Sequence, residues 1–316
     1  MTKLSRKLLI SVFTLAFALV TLGATTFAWF TLTSTAAIDT MNMDITAGHG
    51  IEISVDGNNY KNQITLAEIK QAILSDSDGN FKELDSATSP DGTQFFAIDG
   101  TTPSENYVEF KLYFRSPTED AEVYLTTDTF TQSTEKTWVS DTTFAYRGGN
   151  TVNAGTQVKI YAANALRFSF EEYSDVFTTK KAGTSPLIFE LGDNTTEGND
   201  TNIPLGSTPD LDKGLVKYWA EKKNGENITT DKTIVLPAGV KNRSSGLGLT
   251  DGDPTLPIVK LETKGTGDDS NFYSYAQVRI WLEGWDPDNF DALLDSSLSI
   301  RFAFAVTAAP VIDPED

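Results

Sequence analysis

The chain contains no cysteine among its 316 residues, and histidine occurs once, at His49. The first absence removes disulfides, thiolate zinc sites, iron–sulfur clusters and cysteine nucleophiles together. The second removes any metal centre that needs two imidazoles from one chain. A Ser-His-Asp triad would have to use His49, which sits between two glycines as a turn residue, and no Gly-x-Ser-x-Gly elbow accompanies it. Phosphate-binding loops and dinucleotide fingerprints are also missing. Positive charge is scarce: 25 Lys and Arg stand against 44 Asp and Glu, for a net charge of -19. A surface this acidic repels phosphate backbones, so no nucleic-acid partner is expected, and it favours solubility outside the cell. From these totals the chain is not expected to be an enzyme.

What is present begins at the N-terminus. Leu8 to Leu32 runs for 25 positions without a charge, preceded by Lys3, Arg6 and Lys7. At about 1.5 Å of rise per residue such a helix spans a bilayer core. The basic flank stays on the cytoplasmic side, which sends the remainder outside. Residues 1–30 therefore read as a signal peptide, with cleavage favoured near Ala28, or as an uncleaved signal anchor that explains the full apolar length. Either way the N-terminus inserts in the cytoplasmic membrane, and the expected location is extracellular or at the cell surface.

Beyond it, apolar residues alternate with polar ones, the mark of strands with one buried face. Val108, Phe110, Leu112 and Phe114 share a face opposite Glu109, Lys111 and Arg115. Leu166, Phe168 and Phe170 repeat the pattern, as do Ala276, Val278, Ile280 and Leu282. Leu298, Ile300, Phe302, Phe304 and Val306 form the cleanest strand, and Met41, Met43 and Ile45 the earliest. The expected fold is mainly β: a jelly-roll-like antiparallel sandwich over 31–307, with long loops and one or two short helices, preceded by the N-terminal apolar helix. Thr65 to Leu74 carries a capping-box pattern, and Leu215 to Lys222 is a second helix candidate. Residues 173–253, rich in Gly, Asn, Thr and Asp, read as a loop-rich insertion or a small second β subdomain, and 308–316 as a flexible tail. No Leu-Pro-x-Thr-Gly sorting motif occurs there.

Three groups of residues merit a functional reading. Asp76, Asp78 and Asp85 flank Gly79 with a spacing like that of a calcium loop, although Leu74 falls at the first ligand position; an acidic turn is the alternative, and no other cofactor is expected. Trp281 and Trp285 bracket Glu283 and Gly284, either as a contact surface or as packing beneath the following loop. Glu283 with Asp286 or Asp288 is the carboxylate pair that a glycosidase would need.

Ala24-Thr25-Thr26-Phe27-Ala28-Trp29-Phe30-Thr31, followed by Met41-Asn42-Met43-Asp44-Ile45-Thr46-Ala47-Gly48, resembles the start of TasA/camelysin-like exported proteins of Gram-positive bacteria. The stretch from Val278 to Gly284 and on through Asp286-Pro287-Asp288 is similar to a closing motif in Firmicute surface proteins with the same start. The resemblance implies a jelly-roll sandwich, removal of the leader and assembly into extracellular fibres or a biofilm matrix. In such fibres the N-terminal strand of one subunit completes a sheet of the next; here that strand would be Phe30, Thr31, Leu32, Thr33, Ser34, Thr35, Ala36 and Ala37. Self-association is thus the expected partnership. A cell-surface adhesin or carbohydrate-binding module, and a membrane-anchored envelope or virion protein, are the alternatives.

Overall fold

The computed structural model describes residues 40–192 apart from 83, 98–99, 141 and 147–149, then 239–241, 247, 256–284, 286, 289 and 296–306. The apolar segment, the assembly strand 30–37, the helix candidate 215–222, Trp285, Asp288 and the tail lie outside the described residues. In chain order the strands are β1 (Thr40–Ala47), β2 (Glu52–Ser54), β3 (Gln63–Thr65), β4 (Asn80–Phe81), β5 (Ser86–Ala87), β6 (Tyr107–Ser116), β7 (Glu122–Leu125), β8 (Phe130–Ser133) and β9 (Lys136–Val139). They continue as β10 (Phe144–Tyr146), β11 (Asn150–Val152), β12 (Gln157–Ile160), β13 (Leu166–Tyr173), β14 (Leu187–Glu190), β15 (Val259–Lys260), β16 (Thr263–Lys264), β17 (Phe272–Glu283) and β18 (Ser297–Val306). Helix α1 (Leu66–Ser75) and the 3-10 helix η1 (Ala162–Ala165) interrupt them.

Two sheets pack face to face as a β-sandwich. The six-stranded sheet runs β15-β7-β18-β1-β3, with β8 also on β18. The eight-stranded sheet runs β14-β13-β17-β6-β2, with β5 and β16 on β17 and β4 on β6. Each period-two strand expected from the sequence turns its apolar set inward. Phe168 and Phe170 of one sheet meet Phe302 of the other at centroid distances of 4.7 and 5.4 Å, and Phe114 meets Phe304 edge-on at 5.1 Å. Such edge-on and tilted contacts are the favoured aromatic geometries in cores.

The sandwich is not wholly antiparallel. β1 lies parallel to β18 from Thr40↔Ser297 to Ala47↔Phe304, so the two ends of the described chain are neighbours in the middle of one sheet. β5 is likewise parallel to β17. Parallel neighbours need a long crossover, and here nearly the whole domain lies between β1 and β18.

Helix α1 follows the sequence signals. Thr65 is its N-cap, and the Thr65 N–H donates to Glu68 Oε2 at 2.9 Å. Ile69 and Ile73 are buried, whereas Leu74 is exposed.

The turn after β2 is built on a carboxylate. Asp56 accepts hydrogen bonds from the Asn58 and Asn59 N–H groups at 2.9 and 2.8 Å, from Asn59 Nδ2 at 2.6 Å and from the Ser54 hydroxyl at 2.8 Å. Gly57 follows at φ +72°, and a Cβ there would come within 2.8 Å of the Tyr113 ring. Partial burial pushes the Asp56 carboxyl up, but the Asn59, Asn58 and Ser54 donors outweigh it and hold it well below the ordinary carboxylate range. A depressed folded-state pKa contributes stability above the unfolded-state value, about 3.9, and the contribution is lost as pH falls through the folded-state value. Asp56→Ala is therefore expected to lower the melting temperature at pH 7, with the gap to the parent closing progressively below about pH 4. A gap that stays constant with pH would mean that the turn does not depend on the ionised carboxylate.

Candidate functional site

The outward faces of β13, β17 and β6 alternate as the sequence predicts, yet they are not a solvent face. Cross-strand register lines up Arg167 with Trp281 and Tyr107, Ser169 with Arg279 and Glu109, Glu171 with Gln277 and Lys111, and Tyr173 with Tyr275 and Tyr113. Arg167, Ser169, Glu171, Gln277, Arg279 and Trp281 are all buried. Loops form the roof. Residues 88–97 fold back on themselves through Thr88↔Phe96, and Ser169 Oγ donates to the Gly92 carbonyl at 2.8 Å. Phe95 then lies edge-on to Trp281 at 5.2 Å and stacks on Tyr107 at 4.1 Å. At the other end Phe177 rests against Tyr113, Tyr173 and Tyr275.

Under the first roof lies a set of ionisable groups gathered around Arg167. Arg167 Nε donates to Glu190 Oε2 at 2.7 Å, across the β13–β14 pair. Its Nη1 is 3.1 Å from Glu283 Oε2, near enough for charge pairing but outside hydrogen-bond geometry, and its Nη2 is 3.9 Å from Asp286 Oδ2. Glu283, with 0% exposure, also accepts the Trp281 indole N–H at 3.2 Å. The turn that brings in Asp286 is tied down at both ends. Asn289 Nδ2 donates to the Glu283 carbonyl at 2.9 Å, and Ser86 Oγ donates to Asn289 Oδ1 at 3.0 Å. Burial alone would lower the Arg167 pKa, but Glu190, Glu283 and Asp286 outweigh it and raise the pKa, so the guanidinium is firmly charged.

A second set lies along the same face. Arg279 Nη1 donates to Glu171 Oε2 at 2.9 Å while its Nε pairs with Glu109, and Lys180 Nζ reaches Glu171 Oε1 at 2.5 Å. Burial works against the Arg279 charge, but Glu109 and Glu171 more than compensate and raise its pKa. Burial also pushes the Glu109 carboxyl up, and the nearby Arg279 does not fully offset it.

These positions revise several expectations. Trp281 is fully buried, so it offers no contact surface; among the described residues it packs beneath the loop 88–97. Glu283 and Asp286 do come together, but both face Arg167 under a closed roof, an arrangement that neutralises them instead of presenting them to a sugar. The three aspartates of the calcium-like stretch do not converge. Asp76 caps the end of α1, and its Oδ2 is 2.8 Å from Lys111 Nζ, with Asp78 Oδ2 3.7 Å from the same ammonium. The side-chain cation of Lys111 thus already faces both carboxylates. Burial raises the Asp76 pKa, and the Lys111 and Asp78 N–H hydrogen bonds overcome this and lower it. The chain then pairs as β4 with β6, and Asp85 bonds to the Ser86 N–H at 2.6 Å and to Asn106 Nδ2 at 3.4 Å. Among the described residues no three potential ligands gather around a common point. His49 is an exposed turn residue beside Gly50, whose φ is +82°.

Sequence reasoning missed Arg167 and Glu190, which alternate as ordinary outward strand residues. The one available signal was the position of Arg167 within Leu166-Arg167-Phe168-Ser169-Phe170, where it is the only charged residue among apolar and small ones. Comparison of the chain with protein-family models, with curated proteins and with solved structures finds no match in any of the three.

Proposed function

We propose that this chain is an exported structural protein of a cell surface whose copies join by strand exchange, with Phe30–Ala37 of one copy adding to the β1 edge of the next. The observation that supports this reading is the incomplete pairing of β1. Its antiparallel ladder with β3 covers Asp44, Ile45 and Thr46 only, whereas its ladder with β18 covers all of Thr40–Ala47. The Ala47 N–H donates to Asn62 on the β3 side, and the Gly48 N–H donates to Phe304 on the β18 side. Backbone groups alternate along a strand, so the N–H and C=O of Met41 and Met43 point to the β3 side, beyond the last ladder pair among the described residues. An edge of this kind is a template for an added strand, and backbone hydrogen bonds supply the affinity. The segment that would be donated directly precedes β1 in the chain.

Removal of residues 30–37 from the mature protein is expected to abolish fibres seen by negative-stain microscopy while leaving the melting temperature of the monomer nearly unchanged. Met41→Pro tests the acceptor, because it removes an N–H on the β3 side beyond the β1–β3 ladder and leaves the β18 ladder intact. Fibres that form equally well without residues 30–37 would overturn the mechanism, and normal assembly by Met41→Pro would move the acceptor away from β1.

A further inference from the structure

We propose that the junction of β8, η1 and Gly192 binds an ordered internal water that bridges the Asn164 side-chain amide and the Thr131 hydroxyl. Asn164 is the polar member of Ala162-Ala163-Asn164-Ala165, and all four residues are buried. Its backbone is satisfied, since the Asn164 N–H donates to the Tyr161 carbonyl at 3.1 Å. Its side chain is not: at 7% exposure, neither Nδ2 nor Oδ1 has a protein partner. Thr131 of β8 is 1% exposed, and its Oγ1 is likewise without a protein partner.

Gly192 joins the two. It forms a parallel bridge with Thr131, and a Cβ on it would fall 2.5 Å from Asn164 Cα and 2.6 Å from the Ala163 carbonyl oxygen. Only glycine lets the chain pass this close, so the Gly192 backbone touches both the strand that carries Thr131 and the turn that carries Asn164. The neighbouring contact is polar as well, with the Ala163 N–H donating to Ser133 Oγ at 3.2 Å.

A buried amide or hydroxyl without a partner is costly, and native interiors meet that cost with a protein group or a bound water. The inventory here suits water. The amide offers donors and acceptors, and the hydroxyl offers one donor and two acceptors, which together supply the two to four hydrogen bonds of a typical internal water. A metal cation is a poorer fit, because these groups bring no negative charge and too few oxygens.

The test uses the full chain and Thr131→Val, which keeps the shape and removes the hydroxyl. A high-resolution crystal structure of the parent is expected to show a water within about 2.7–3.2 Å of Asn164 and Thr131. Thr131→Val is expected to lower the melting temperature by about 2–4 °C, because the water loses a partner. Asn164→Leu should do the same; if that variant fails to fold, Thr131→Val alone decides. A dry junction in the parent, or a melting temperature that is unchanged or raised by Thr131→Val, overturns the proposal, since removing an unsatisfied hydroxyl from a dry site stabilises it.

Discussion

Arg167→Met is expected to lower the unfolding free energy by about 3–5 kcal/mol, read from urea unfolding at neutral pH. The size follows from what remains, not from what is removed. Glu190, Glu283 and Asp286 stay beneath the loops with the guanidinium gone, and a buried charge without its counter-charge costs several kcal/mol. Methionine keeps much of the arginine stem volume, so the loss reports charge more than packing. Adding Glu283→Gln to Arg167→Met should recover part of the loss, because it removes one of the stranded carboxylates. The double-mutant cycle measures that coupling directly, and strictly additive effects would mean that Arg167 and Glu283 do not stabilise one another. Replacing the whole set by apolar residues of similar volume is a different experiment, which can be neutral or stabilising.

Trp281→Ala is expected to cost about 3–5 kcal/mol by the same measurement, the range for emptying a large buried aromatic site. Trp281 has 0% exposure and anchors a small cluster with Phe95, Ile188 and Val240, separate from the main core between the sheets. Its indole N–H also serves Glu283, so the substitution removes a hydrogen bond from a fully buried carboxylate. Trp281→Phe should recover most of the packing and none of that hydrogen bond, placing it between the parent and the alanine variant. A cost near zero for Trp281→Ala would mean that the roof made by residues 88–97 opens in solution and that Trp281 is a surface residue.

Both variants act on the outward side of a sheet that the amino-acid pattern presents as polar. The pattern of β17 is a good illustration. Ala276, Val278, Ile280 and Leu282 alternate with Gln277, Arg279, Trp281 and Glu283, which reads as one buried and one wet face. The first half of that reading holds. The second does not, because Gln277, Arg279, Trp281 and Glu283 are buried too. Alternation reports which residues share a face, and it carries no information about what later covers that face. The cover comes from 88–97 at one end and from Phe177 at the other, in turn-rich segments with no periodicity of their own, so nothing in them marks the strand they will lie on. The calcium-like spacing of Asp76, Asp78 and Asp85 shows the same limit of a local pattern. The spacing says nothing of partners elsewhere in the chain, and in the fold Asp76 and Asp78 face Lys111 whereas Asp85 meets Ser86 and Asn106.

The sequence by itself determined the long strands β1, β6, β13, β17 and β18, their inward faces and the cap of α1, because these depend on period-two patterning and on interactions between residues three apart. The uninterrupted apolar run from Leu8 to Leu32, and the expectation of export that rests on it, also belong to the sequence alone. Only the tertiary structure decided that β1 runs parallel to β18, that its pairing with β3 stops at Asp44, and that Arg167 meets Glu190, Glu283 and Asp286. Each of these joins residues far apart in the chain. Local propensity does not reach across such separations, and the choice among partners is made by which surfaces the packed sandwich brings together.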